Sequence, residues 1–400
     1  MLEIDVQGII AFDICFLAAF LLAAKRKDVG AFVMIGIALR FLMVIWYSLS
    51  EDTDPDGYGM RAVAYAFQPI GDVLASMPTG AYIYSWLVSF LYRVFGESPM
   101  MIRAINALMS SVAILFTYDL MQRLGDRSSA RLAAAFLALF PSLLRFSASF
   151  ASRESLFVFL ILLVVRELYA FYSEGRVPAL ILATFAFILG CIVHTAFFML
   201  GILFIYAILK GTVASRNAWW IARMIGMTAL AAIVLLLMAN GIGTEKFYLD
   251  QGGLSLEKLN WISESSAMGR ASYLKGFTSN RPILFLLLIP VRVAYFLFAP
   301  FVWMVRTKAD ALGLFDALLY LFVMILLVGN LLDILRRSAK TANDRFILCL
   351  AFVVLLMVVA LAIGTSNYGT ALRHRAKLIC ILVLMCGRRF RLPAVLTRRE

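Results

Sequence analysis

Charge is scarce in this 400-residue sequence: Asp, Glu, Lys and Arg make up 15% of it, against about a quarter in an ordinary soluble domain. Histidine is rarer still. Only His194 and His374 occur, and neither has a ligand partner at metal-site spacing. The five cysteines, Cys15, Cys191, Cys349, Cys380 and Cys386, lie in apolar runs and form no CxxC pair. Neither a disulfide framework nor a thiolate cluster is expected from them. Walker A, GxGxxG, GxSxG and HExxH patterns are missing, so ATP hydrolysis and soluble-type hydrolase sites are not expected. No internal repeat is evident, which counts against an inverted-repeat transporter. No basic segment or cleavage site follows Met1, so the first apolar run is read as a retained helix.

What is abundant is apolar surface. Hydrophobic residues make up 63% of the chain and the mean hydropathy is +0.90. Soluble domains carry about 45–50%, so the excess must face lipid. Spanning helices are expected at 7–24, 31–49, 103–122, 130–147, 155–172, 179–196, 217–239, 281–304, 312–334 and 345–363, with shorter candidates at 197–209 and 377–387. The expected fold is an all-α polytopic membrane protein, a single transmembrane domain over 1–400 of roughly 10–12 helices. The aromatic run 81–95 carries Arg93 and is read as an interfacial helix within a first external loop, 50–102.

The formal charge of +13 points to lipid and cytoplasmic loops rather than nucleic acid. Lys25-Arg26-Lys27 and the 123–131 turn read as cytoplasmic, as do Arg336, Arg337, Lys340, Arg345 and the basic tail 388–400. The acidic stretch after 31–49 then falls outside, with a second external loop at 240–280 and an external basic loop at 364–377. Holding all of these together requires 281–304 not to cross fully. Pro290, Arg292 and Pro300 make a bent or re-entrant segment there plausible. Arg40, Asp119, Arg166 and Glu167 lie near expected helix ends, where snorkelling accounts for them.

Three clusters carry potential chemistry. Glu51-Asp52-Thr53-Asp54-Pro55-Asp56-Gly57-Tyr58 crowds four carboxylates that repel one another. A divalent cation, a bound cationic group or protonation would offset them, and a solvated acidic loop is the plain alternative. An EF-hand is discounted, because the position that needs Glu is Val63. Glu154, after Ser147–Arg153, opens a helix; there it would complement the helix dipole or serve a site. Finally, Asn367, Tyr368, Gly369 and Thr370 precede Arg373-His374-Arg375-Ala376-Lys377. That set suits a phosphate or pyrophosphate, and an anchoring positive patch is the alternative. His194 reads as a core residue.

In order and spacing, residues 50–172 resemble the N-terminal part of the GT-C superfamily of membrane glycosyltransferases, in its protein mannosyltransferase and lipid A aminoarabinose transferase branch. The marks are Asp54-x-x-x-Tyr58 leading into Arg61 and Tyr65, then Pro78 through Trp86 to Phe95-Gly96, then Arg103 at the next helix. A basic turn Arg123–Arg127, the pair Phe140-Pro141 and Glu154 follow. The family's Pro-Pro-Leu is Met77-Pro78-Thr79 here, an extra helix precedes the usual first one, and no counterpart of a large soluble C-terminal domain is expected. The end cluster is similar to that of bacterial envelope polysaccharide enzymes.

The resemblance implies a GT-C-like helix bundle that moves a sugar from a polyprenyl-phosphate donor to a glycan, lipid or protein acceptor on the external face, with inversion. A bacterial inner membrane and cell-envelope polysaccharide synthesis are the expected setting, with membrane lipids but no nucleic acid as partners. Asp54 and Asp56 are the expected catalytic carboxylates with Glu154, and these three are also the candidate ligands for a divalent Mg or Mn cofactor. Arg373, His374, Arg375 and Lys377 are the expected donor-phosphate residues, and Tyr58, Asn367 and Tyr368 the acceptor-positioning ones. An O-antigen-type polymerase or ligase and a lipid-linked oligosaccharide flippase or transporter are the competing classes.

Overall fold

The computed structural model describes residues 5–26, 28–50, 57–78, 82–148, 153–210 and 255–391. Asp54, Asp56 and the rest of 51–56 lie outside the described residues, as do the expected helix 217–239, most of loop 240–280 before Ser255, and the tail from 392. Among the described residues the structure is helical, with one isolated bridge between Ser272 and Asn367.

Polar residues set where the helices start. Asp5 accepts from Gly8 N at the head of α1 (Val6–Ala24), and α2 (Ala31–Leu49) follows a short turn. Three short helices come next: α3 (Tyr58–Ala66), α4 (Ile70–Ala75) and α5 (Ile83–Phe95). Ser98 accepts from Met101 N to open the central α6 (Pro99–Leu124), with Pro99 where its missing N–H costs nothing. Asp126 opens α7 (Arg127–Ala138), followed by α8 (Pro141–Ala148), α9 (Glu154–Glu174), α10 (Val177–Val193) and α11 (Leu200–Lys210). The C-terminal half holds α12 (Leu256–Ser265), α13 (Pro282–Phe298), α14 (Lys308–Arg336), α15 (Ala342–Ile363), α16 (Tyr368–Ala376) and α17 (Ile379–Cys386). Capping boxes open α14, through Thr307 and Asp310, and α15, through Thr341 and Asp344.

Six described helices, α1, α2, α6, α9, α14 and α15, are long and apolar enough to cross a membrane. Rows such as Ile14, Leu17 and Phe20 on α1 and Phe322 and Ile325 on α14 remain exposed, as lipid-facing surfaces must. The protein is an integral membrane protein of the all-α class. Tyr58, Ala62, Tyr84, Val88, Tyr92, Met101 and Ile102 form a small cluster that packs α3 and α5 onto the start of α6. Leu156, at the start of α9, packs against the same cluster.

The expected single span 130–147 is instead two helices, α7 and α8, bent by 56°. Pro141 supplies no N–H and disfavours helical geometry at Phe140. The break leaves carbonyls of α7 and amides of α8 without intrahelical partners inside an apolar bundle. Two buried charges from neighbouring helices take them. Arg40 of α2 donates to the Ala138 carbonyl at 2.6 Å, the Leu137 carbonyl at 3.2 Å and Ser110 Oγ at 3.3 Å. Asp316 of α14 accepts from Ser142 N at 3.0 Å. Arg40 therefore does not snorkel: it is fully buried. Its approach depends on Gly36, where a Cβ would stand 2.5 Å from the Ala138 Cβ.

The ion pairs sort into two ends. At one end lie Arg26–Asp119, Arg127–Asp28, Arg131–Asp28, Arg123–Glu174, Arg337–Asp344, Arg389–Asp333 and Arg391–Asp126. At the other end are the starts of α6, α9 and α14, and the 255–281 segment tied to residues 364–368. Tyr273 hydroxyl donates to the Thr365 carbonyl, Ser366 N to Ser266 Oγ, and Arg270 to Asp310. Both flanks of α13 sit at this second end: Asn280 accepts from Asn260 before it, and Asp310 meets Arg270 after it. The stretch 281–304 is thus a 17-residue helix with Pro290 inside, followed by the 3-10 turn Val302–Met304.

Arg40→Ala should lower stability by about 3 kcal/mol, because hydrogen bonds from a charged donor are lost and two buried carbonyls are left without it. Ser110→Ala should cost under about 1 kcal/mol. Unfolding in detergent checks both, and an Arg40→Ala midpoint equal to the parent's would contradict the bridging role.

Candidate functional site

The stretch 364–377, expected as a basic loop, contains a helix, α16, and the helix phase decides what its cations can do. Residues four apart share a helix face and residues two apart do not. Arg373 and Lys377 therefore turn one way and Arg375 the other. Asn367 sets the helix by accepting from Gly369 N at 2.8 Å and Thr370 N at 3.3 Å. Tyr368 pins its first turn by donating to Asp310 Oδ1 at 2.8 Å. Both residues, expected to position an acceptor, are engaged in placing α16.

Arg373 and Lys377 meet Glu154 at the N-terminus of α9. Arg373 Nε donates to Glu154 Oε1 at 2.7 Å, and Lys377 Nζ lies 3.3 Å from the same oxygen. Lys377 Nζ is also 3.1 Å from His374 Nδ1 and 5.6 Å from the Phe157 ring centre. Glu154 is 2% exposed and Lys377 1%, while Arg373 keeps a quarter of its side chain accessible. The positive end of the α9 dipole favours the carboxylate at this position. Burial pushes the Lys377 ammonium down to about 7; Glu154 pulls it back up, and Arg153 and Arg373 add to the lowering. Lys377 lies in the break between α16 and α17, outside the spanning helices.

Aromatic groups and both histidines line the same place. The Arg373 guanidinium lies 6.0 Å from the Tyr58 ring centre, and Tyr58 is 5.9 Å from Tyr82. Tyr58 and Arg373, from opposite ends of the sequence clusters, are thus brought together. Tyr84 donates to Asn106 at 2.9 Å nearby on α5 and α6. The His194 ring stands 6.0 Å from His374 and 5.1 Å from Phe157, and Arg153 donates to the Val193 carbonyl at 2.8 Å. His194, read from sequence as a core residue, is buried and borders the site. Its position at the break between α10 and the following 3-10 turn, Thr195–Met199, is the signal that a run-based reading overlooks.

Arg375 is not with this group. It is fully buried on the other side of α16, donates to the Leu297 carbonyl, and faces Asp316 and Tyr320. Of the expected carboxylates only Glu154 is described, and two cations already face it. Among the described residues no group of three His, Cys, Asp or Glu stands ready for a metal ion. A cleft of about 450 Å³ lined by Lys25, Arg26, Asp28, Tyr118, Asp119, Gln122 and Arg127 lies at the arginine-rich end, away from Glu154.

The described residues thus form an all-α membrane bundle with a buried carboxylate and two cations meeting at one end. Residues 79–241 match the family of dolichyl-phosphate-mannose-protein mannosyltransferases, a GT-C type glycosyltransferase family. The match runs from the head of α5 past α11 and includes Glu154, while α16 lies beyond it. No curated protein and no solved structure matches the chain significantly. The matched span covers less than half of the chain.

Glu154→Gln leaves Arg373 and Lys377 facing each other without a carboxylate. The loss of a buried partner should cost about 3 kcal/mol, read as a lower unfolding midpoint in detergent. Glu154→Asp should recover part of it, and parent stability in Glu154→Gln would contradict the pairing.

Proposed function

We propose that this protein transfers a sugar from a polyprenyl-phosphate donor to a glycan, lipid or protein acceptor on the external face of the membrane, in cell-envelope glycan synthesis. The observation that carries the reading is the Glu154–Arg373–Lys377 cluster: two cations, one of them partly accessible, at the end of the bundle opposite its arginine-rich end. Lys and Arg concentrate on cytoplasmic ends, so the arginine-rich end is assigned to the cytoplasm and the cluster to the outside. The bacterial inner membrane is the setting that goes with this assignment.

In the proposed reaction the acceptor hydroxyl attacks the anomeric carbon. The bond from that carbon to the donor phosphate oxygen breaks, and its electron pair leaves with the phosphate. Arg373 and Lys377 stabilise that charge, with His374 beside Lys377. The hydroxyl proton passes to a carboxylate, for which Asp54 is the first choice and Asp56 the second. Asp54 is four residues before Tyr58 in the chain, and the Tyr58 ring lies beside Arg373. Glu154 holds the two cations in register and needs no proton transfer of its own. A divalent cation belongs in this reading only with the 51–56 carboxylates, because Glu154 is already neutralised. Transfer that is unchanged in excess chelator would remove the cation altogether. Direct displacement gives inversion at the anomeric carbon.

Arg373→Ala should lower kcat/KM for the donor about 100-fold, and Asp54→Asn should lower kcat by about 100-fold or more, both measured well below each variant's own unfolding midpoint so that only folded protein is read. Parent rates in both variants would refute the roles. The pH dependence follows from Lys377: its cation is lost as pH rises through about 7, so the donor KM should rise through that range. Lys377→Arg stays charged and should flatten the rise. A profile that is identical in the two proteins would show that Lys377 does not meet the donor.

A further inference from the structure

Below α16, on the face turned away from Glu154, four helices converge on a second charged pair. Asp316 of α14 is 2% exposed and Arg375 of α16 is 0% exposed. Asp316 Oδ1 accepts from Ser142 N at the head of α8 at 3.0 Å. Asp316 Oδ2 lies 4.0 Å from Arg375 Nη2, and Arg375 Nη1 donates to the Leu297 carbonyl near the end of α13. The Arg375 guanidinium stands 5.1 Å from the Tyr320 ring centre. Five side-chain atoms gathered here, Ser142 Oγ, Asp316 Oδ2, Tyr320 Oη, Arg375 Nε and Arg375 Nη2, are buried without a hydrogen-bond partner at bonding geometry.

Such a node is costly. Well-packed apolar residues in place of a buried pair are often neutral or stabilising, and an ionisable group within a spanning helix calls for a role other than stability. The connectivity supplies one. Asp316 touches both segments that deliver the site: α8, which leads through 149–152 to Glu154, and α16, which carries Arg373 and Lys377 on its other face.

We propose that Asp316 is a positioning residue: through Ser142 N and Arg375 it fixes α8 and α16 relative to each other, and so sets where Arg373 and Lys377 meet the donor phosphate. The donor part of this inference rests on the function proposed above, whereas the helix-positioning part does not. A charge at 316 is what α16 responds to, since Asn at that position can still accept from Ser142 N while offering Arg375 no charge.

The test compares the purified full chain with Asp316→Asn, Asp316→Glu and Ser142→Ala, reading amide hydrogen exchange and steady-state kinetics. Asp316→Asn should speed exchange at α16 amides about tenfold while exchange in α1 and α2 stays as in the parent. It should lower kcat/KM for the polyprenyl-phosphate donor about tenfold and leave the acceptor KM within about twofold. Asp316→Glu should recover part of both effects, and Ser142→Ala, which keeps its backbone N–H, should change neither. Parent-like exchange at α16 in Asp316→Asn overturns the proposal. So does faster exchange spread evenly over all helices, the mark of simple destabilisation. Faster α16 exchange in a protein whose parent form transfers no sugar would uphold the positioning and refute the function instead.

Discussion

Burying charge in a lipid-facing bundle forces the rest of this architecture. A carboxylate or ammonium taken out of water costs several kcal/mol unless a partner and hydrogen bonds compensate it. Each buried ionic group therefore has to be met by another element, and each meeting fixes two helices. Glu154 holds the start of α9 against α16. Arg40 closes the open carbonyls of α7, and Asp316 the open amide of α8. The break at Phe140-Pro141 is possible in the membrane because neighbouring helices supply both caps.

The same constraint separates what α16 does from what it supports. Arg373, His374 and Lys377 face an aromatic-lined place that includes Tyr58, Phe157 and His194, with Arg373 partly accessible. Arg375, two residues from each neighbouring cation, is sealed among Asp316, Tyr320 and the Leu297 carbonyl. One short helix thus carries a partly accessible face and a sealed one. Asn367 and Tyr368 at its head hold its angle through a cap and the Asp310 network, together with the 255–281 segment.

Much of the fold was legible because length and apolarity report membrane helices directly. The runs 7–24, 31–49, 155–172 and 345–363 correspond to α1, α2, α9 and α15 within a few residues. Pro141 and Pro282 mark a break and a start, yet the 56° angle at the first needed Arg40 and Asp316, which no local pattern reveals. The pairing of Glu154 with the end cluster spans 219 residues. Both partners could be singled out as charges placed where snorkelling fails to explain them, but the contact itself is tertiary. The Arg-x-Arg-x-Lys spacing was misleading when read as a loop; read as a helix it already sends Arg375 away. Asp316 was visible as a carboxylate well inside the apolar run 312–334, unlike Asp333 at its end, a signal that run-finding treats as noise.

The central claim is that the cations at the Glu154 end receive the donor phosphate. It is tested most directly by a polyprenyl phosphate that carries a photoreactive group beside its phosphate. Irradiated with the purified full chain, it should label peptides from α16 and the start of α9, and excess unlabelled lipid phosphate should suppress the labelling. Labelling confined to the arginine-rich end, around Lys25, Arg26 and Arg127, would contradict the account.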